Sequence, residues 1–299
     1  MTSATGRAGP ASNAAAAGTW KLGDRSVNRI GFGAMRLTAN ADGTPSDRDR
    51  AIAVLRRAMD LGVNHIDTAA FYFSPLRSAN ELINRALAPY PDDLVITSKV
   101  GPGKDPSGHW LDMARPDQLR SQVEENLRQL GRDHLDVVNL RRLPSVGSIA
   151  EHFGALADLR AAGLIRHLGI SAVNGGHLAE ATTIAPVVCV QNRYGIGVRT
   201  DDPGLLRTCG EQGIAFVPFF AIAGEGGAAG PGGPADQEVR TVARAHGATA
   251  AQVRLAWTLQ RGPHVLAIPG TGNPDHLAAN VAAGALRLSA DEMHRLGGE

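Results

Sequence analysis

Apolar and polar positions along the chain fall into two alternating patterns. Short apolar runs, many of them β-branched, lie at 29–35, 65–69, 94–100, 135–140, 166–173, 187–192, 215–220 and 264–269. Runs of this kind predict strands covered on both faces. Between them apolar residues recur at three- and four-residue steps, the spacing of one helical face. The segment 115–131 carries Leu119, Val123, Leu127 and Leu130 on such a stripe and stops at Gly131. The segment 46–62 opens on a capping-type Ser46 and closes at Gly62; 151–163 closes at Gly163, and 248–262 at Gly262 with Pro263 behind it. Glycine just past a helix and proline beyond it are stop signals. Eight strands, each leading into a helix, within roughly 250 residues predict an α/β fold of the parallel (β/α)8 or TIM-barrel type.

An open doubly wound sheet is the rival architecture. It requires a Gly-x-Gly-x-x-Gly loop directly after the first strand and an acidic residue placed for a ribose. The segment Gly31-Phe32-Gly33-Ala34-Met35 lacks that spacing, and no acidic residue is suitably placed. Ahead of the first barrel strand, 19–31 reads as an N-terminal β-hairpin turning at Gly23-Asp24 and closing the barrel floor. The small, Ala-rich residues 1–18 read as a disordered tail, which leaves 19–299 as a single domain. A Gly-rich insert at 224–235, after the seventh strand, is either a mobile lid over the C-terminal face or a plain linker.

Charge narrows the partners. The 299 residues hold 30 Lys and Arg against 29 Asp and Glu, a net charge of +1, which argues against nucleic acid or an anionic membrane. Arg141-Arg142 is too short a basic cluster to change that. No apolar run approaches the roughly 18 to 20 residues that span a bilayer, and the opening lacks the pattern of a secretory leader. Cys189 and Cys209 stand apart, without disulfide or metal-ligand spacing, so a reducing cytoplasm is the expected setting.

In a parallel barrel the carboxyl ends of the strands face the active site. Those ends carry Asp67 with Tyr72 just beyond, then Lys99, Arg141, Ser171, Gln191 and Gly270-Thr271. One carboxylate, one phenol and two cations around one point suit a tyrosine that protonates a carbonyl undergoing reduction. A free phenol titrates near about 10, and an adjacent ammonium is expected to lower that value. Asp67 would fix Lys99 and compensate its burial. The two-residue strand period also turns His65 inward. His65 and Asp67 could open a metal site, but His167 begins its strand, and His109, His134, His152 and His177 read as loop or helix residues. No metal is expected. The adjacent pairs Asp92-Asp93, Glu124-Glu125 and Asp201-Asp202 point in different directions and read as solvated faces.

The motifs HIDTAAFY (65–72), TSK (97–99), GISAVN (169–174), VQN (190–192) and IPGTGNPDHLAAN (268–280) resemble, in order, those of the aldo-keto reductases. Segments DVVNLR (136–141), CVQN (189–192) and VPFF (217–220) look closest to the bacterial pyridoxal reductase branch. The resemblance implies Tyr72 as general acid, Asp67 and Lys99 as its tuning pair, and NADPH as cofactor, with NADH open. It also implies Ser171 and Gln191 on the carboxamide and Phe219 stacked on the nicotinamide. Gly33, Met35, Asp67, Ala221, the turn Gly270-Thr271-Gly272, His276 and Asn280 would complete the cofactor contacts. Met35, Phe71, Tyr72, Trp110 and Arg141 would touch a small aromatic or polar-aromatic carbonyl substrate, pyridoxal being the first to consider.

The chain departs from the family at four positions. Arg141 stands where a histidine is usual; arginine stays charged, so it can stabilise an alkoxide but cannot relay a proton. Gly270, His276 and Ala279 replace the usual Lys, Arg and Glu around the adenosine phosphate, which weakens the inference of NADPH preference. His276, with Thr271, is the remaining candidate for the 2′-phosphate. Two further functions stay open: reduction of a natural-product intermediate, and nicotinamide binding without turnover in a regulatory protein. Oligomeric state is left undetermined.

Overall fold

Leu22 and Val27 sit on opposite strands of an antiparallel hairpin, β1 (Thr19–Leu22) and β2 (Arg25–Asn28), which turns at Gly23 with φ 68°. Both pack among Val95, Val137, Cys189, Ala215 and Leu266, so the hairpin plugs the interior of a barrel from below. The computed structural model describes residues 13–40, 42–198, 202–222 and 234–297.

The barrel strands begin with β3 (Phe32–Gly33) and β4 (His65–Asp67), followed by a small hairpin of β5 (Phe73–Ser74) and β6 (Arg77–Ser78). Next comes β7 (Val95–Val100), with a second hairpin, β8 (Pro102–Lys104) and β9 (Trp110–Met113), rising from its carboxyl end. The series ends with β10 (Leu135–Arg141), β11 (Ile165–Ser171), β12 (Val187–Gln191) and β13 (Ala215–Phe216). The seven barrel strands lie side by side in chain order, all parallel. The eighth run, 264–269, forms single bridges to both open edges: Val265 pairs with Phe216 and Ala267 with Ile30. Leu266 N donates to Phe216 O at 2.9 Å, and Gly31 N to Ala267 O at 2.8 Å. These contacts close the expected eight-stranded barrel.

Around it lie α1 (Arg48–Asp60), α2 (Ala79–Leu87), α3 (Leu119–Leu130), α4 (Ala150–Ala161) and α5 (Gly175–Ile184). They continue with α6 (Leu205–Glu211), α7 (Pro234–Ala245), α8 (Ala250–Gln260), α9 (Pro274–Ala282) and α10 (Ala290–Arg295). Outward strand residues such as Ile66, Ile96, Val138 and Ile170 pack with Leu55, Val123, Leu127 and Phe153 of the helices in one continuous core. That is why both faces of the strands read as apolar.

Several boundaries differ from the sequence expectation. Within the supposed tail, Asn13 caps a short 3-10 turn, Ala14–Ala17, whose first and last alanines are buried, and Ala14 N donates to Leu61 O at 2.8 Å. Alanine is small enough for this close approach; residues 1–12 lie outside the described ones. Helix α1 is capped by Asp47, which accepts from Arg50 N at 2.7 Å, while Ser46 turns to the Leu37 carbonyl. The first barrel strand stops at Gly33 because Ala34–Leu37 winds into a 3-10 turn. The seventh stops at Phe216, and pairing resumes past Pro218, which has no N–H to give, through Phe219 N to Asn192 O at 2.9 Å. Of the Gly-rich insert, only Pro234 and Ala235 are described, and they begin α7.

Candidate active site

Alternation along β4 and β7 turns Asp67 and Lys99 into the barrel at its carboxyl end. Lys99 is 2% exposed, and its Nζ donates to both Asp67 oxygens at 2.7 Å and to the Thr68 carbonyl at 3.0 Å. Gln191, from β12, donates Nε2 to Asp67 Oδ1 at 2.8 Å. The chain bends after Ala69, with Tyr72 N donating to Ala69 O, and this brings the Tyr72 ring centroid 4.7 Å from Lys99 Nζ. Three expected site residues, Asp67, Tyr72 and Lys99, therefore meet.

The electrostatics correct one expectation. Burial raises the Tyr72 pKa, and so does Asp67; the opposing pull of Lys99 and Arg141 does not outweigh them, so the phenol titrates above its usual range. A lysine beside a phenol lowers its pKa only where desolvation is the smaller effect. Burial acts to lower the Lys99 pKa, but the Asp67 carboxylate and the neighbouring Tyr72 oxygen more than offset it, and the ammonium is retained. The pair is thus a neutral phenol against a charged amine.

Arg141 ends β10 in register with Ser171 on β11. Its guanidinium carbon lies 5.4 Å from the Trp110 ring centroid and 5.8 Å from that of Phe219. Phe71 meets Tyr72 and Trp110 edge-on, each at 5.3 Å. Trp110 is half exposed on β9, with Lys104 Nζ 4.8 Å from its ring. Phe71, Tyr72, Trp110, Arg141 and Phe219 form one contact chain, as a substrate mouth requires. Met35 stands exposed on the turn behind Gly33.

Beside this cluster Ser171 Oγ and Gln191 Oε1 are buried without a partner, as are Arg141 Nε and both amide atoms of Asn139. A hydroxyl donor and an amide acceptor match the carbonyl and NH2 of a primary carboxamide, the polar handle of a nicotinamide. The residues present therefore fit that group. Gly270 has a packing reason for being glycine: a Cβ there would fall 2.4 Å from Gly33 O, and one at Gly33 would fall 2.6 Å from Ile268 O. No lysine fits at 270 without moving the backbone. Beyond it, Thr271 Oγ1 accepts from Asn273 N at 3.0 Å and Asn273 Oδ1 from Asp275 N at 2.9 Å, shaping the start of α9. His276 is exposed on the first turn of α9, Asn280 and Ala221 are buried, and Gly272 and Ala279 are partly covered.

Polar residues that the strand-end reading missed hold these groups in place. Thr68 and Ser98, each next to a site residue, point outward. Thr68 Oγ1 donates to Asn80 Oδ1 at 2.7 Å, Asn80 Nδ2 to Asn126 Oδ1 at 2.9 Å, and Ser98 Oγ to that same Asn126 oxygen. The signal was present: Asn126 falls on the apolar stripe of α3. At the opposite rim Ala172 has φ 59°, a left-handed conformation costly for alanine. Arg142 Nε holds its carbonyl at 3.0 Å, and Asn192 brackets Val173 through N–H and C=O at 3.1 and 2.6 Å. His65 is buried over Gly31, where a Cβ would come 2.2 Å from its Nε2. Among the described residues no group of three or more His, Cys, Asp and Glu is placed to hold a metal ion.

The chain belongs to the aldo/keto reductase family, whose model matches residues 29–298. It is 44% identical over 288 residues to pyridoxine 4-dehydrogenase of Escherichia coli strain K12, covering 94% of this chain and 97% of that protein. An uncharacterized oxidoreductase of Schizosaccharomyces pombe is 38% identical, with 97% and 92% covered. A Klebsiella pneumoniae aldo/keto reductase in complex with NADP and acetate is similar in structure at TM-score 0.76 and 28% identity, covering 93% of each chain. A thermostable aldo-keto reductase in complex with the inhibitor epalrestat also gives 0.76, at 30% identity, covering 93% and 98%. Among the described residues no helix is long and apolar enough to cross a membrane.

Proposed function

We propose that this chain is an NADPH-dependent carbonyl reductase, with Tyr72 as the proton donor and an aromatic aldehyde such as pyridoxal as substrate. The contact of Lys99 with both the Asp67 carboxylate and the Tyr72 ring carries the reading. NADPH, when bound, supplies the hydride. Ser171 and Gln191 would hold its carboxamide, and Phe219 would meet its ring. Gly33, Met35, Ala221 and the 270–272 turn would line the nucleotide, while Thr271, His276 and Asn280 would serve its adenosine half.

Tyr72 gives its proton to the carbonyl oxygen of the substrate and is left as a phenolate that solvent reprotonates. The Lys99 ammonium stabilises that phenolate, and Asp67 keeps Lys99 charged and in place. Arg141 stabilises the developing alkoxide without exchanging a proton. Phe71 and Trp110 form an aromatic wall suited to a flat substrate. The name of the Escherichia coli relative and the NADP of the Klebsiella complex support substrate and cofactor respectively. Both cysteines are free and buried, in accord with a cytoplasmic setting.

NADPH absorbance followed with pyridoxal and a panel of aromatic aldehydes tests the reading. Tyr72→Phe should lower kcat by about 10²- to 10⁴-fold, with NADPH affinity close to wild type. Cofactor binding without consumption of any aldehyde would point instead to a regulatory protein.

A further inference from the structure

The charges facing the strand-end site do not cancel. Lys99 is matched by Asp67, and burial keeps Tyr72 in its neutral form. Besides Lys104 on the β8–β9 hairpin, Arg141 is left over. Its Nε is buried without a partner, its guanidinium lies between the Trp110 and Phe219 rings, and it forms no ion pair among the described residues. Its Cα is the register partner of Ser171, one strand spacing away. A ring held through its carboxamide by Ser171 and Gln191, and lying on Phe219, therefore sits beside a permanent cation.

We propose that Arg141 sets the redox preference of the nucleotide site, favouring NADPH over NADP+ and biasing the protein towards carbonyl reduction. The inference rests on the nicotinamide reading above. The reduced nicotinamide ring is neutral, and loss of hydride makes it a pyridinium bearing one positive charge. The substrate leaves as a neutral alcohol, having taken hydride on carbon and the Tyr72 proton on oxygen. Once solvent has reprotonated Tyr72, the site holds two like charges, the ring and Arg141, and the oxidised nucleotide is the form expelled. The phosphates are common to both nucleotides and cancel in the comparison. Two unit charges about 6 Å apart, at an effective dielectric constant between about 20 and 80, change the affinity ratio by about 3- to 100-fold. The arginine thus gives the site a direction.

Protein fluorescence titrations with NADPH and NADP+ test this on the wild type, Arg141→Gln, Arg141→Met, Arg141→Lys and Ser171→Ala. The wild type should bind NADPH more tightly. Either neutral variant should lower the ratio Kd(NADP+)/Kd(NADPH) by about 3- to 100-fold, mainly through tighter NADP+. The methionine variant keeps an unbranched stem between the two rings and serves if the glutamine variant does not fold. Arg141→Lys should hold the ratio within about twofold, and Ser171→Ala should weaken both nucleotides alike. A ratio unchanged in the neutral variants, or lost equally in the lysine variant, would overturn the assignment. Failure of the wild type to bind either nucleotide would instead reject the nicotinamide reading itself.

Discussion

His65 offers a quantitative test of how the barrel interior is folded. Its ring is buried over Gly31, and burial pushes its pKa down to about 4, with the backbone at Asn28 pulling the other way. The folded state therefore holds the neutral ring, whereas the unfolded chain takes up a proton near 6.5. Stability contributed by the neutral ring is present above the unfolded value and lost as pH falls towards 4. With these two values, linkage gives a loss of about 2 kcal/mol between pH 7 and pH 5, and about 3 kcal/mol by pH 4. Leucine at this position is similar in size and has nothing to protonate. Urea unfolding of wild type and His65→Leu, followed by tryptophan fluorescence at pH 7 and pH 5, isolates the effect, because every other titrating group is common to both proteins. The wild type should lose about 2 kcal/mol more than the variant over that interval, with equal slopes against urea. A stability difference that is the same at both pH values would refute the buried, neutral ring.

Other perturbations probe the supports of the site. Asn126→Leu removes the acceptor shared by Asn80 and Ser98, leaving the buried Ser98 hydroxyl unpaired and Asn80 Nδ2 with Gln129 alone, so it should cost about 1 to 3 kcal/mol by urea unfolding; a change within about 0.5 would show that the network is dispensable. Gly270→Lys, an obvious attempt to add a phosphate-binding cation, should destabilise the barrel by about 1 to 3 kcal/mol or more and fail to tighten NADPH; a stable, tighter-binding variant would contradict the contact with Gly33. Because burial holds the Tyr72 pKa above the usual range, kcat for reduction should show no alkaline fall from this group up to pH about 10; a limb centred below about 9 would count against it.

Much of this arrangement was legible from single positions. The two-residue period brought His65 and Asp67 inside together, and strand ends alone nominated Lys99, Arg141, Ser171 and Gln191. What escaped depended on sums or on distant partners. The direction of the Tyr72 shift is a balance between burial and three charges, and no spacing in the sequence weighs them. Glycine at 270 looks like a lost lysine until Gly33, far away in the chain, comes within contact across the seam. Asn126 reads as an imperfection in an apolar stripe until Thr68 and Ser98 are seen on the other side of it. The short 3-10 turn at Ala14–Ala17 gave no hydrophobic signal because its anchors are methyl groups.

The bridges from Val265 to Phe216 and from Ala267 to Ile30 also bear on how the protein is made. The earliest barrel strand can be sealed only by nearly the last, so a nascent chain carries an open sheet with bare edges until residues 264–269 leave the ribosome. Products truncated before that point would expose Phe32 and Phe216 along unpaired strands, and cellular quality control would meet them as aggregation-prone intermediates.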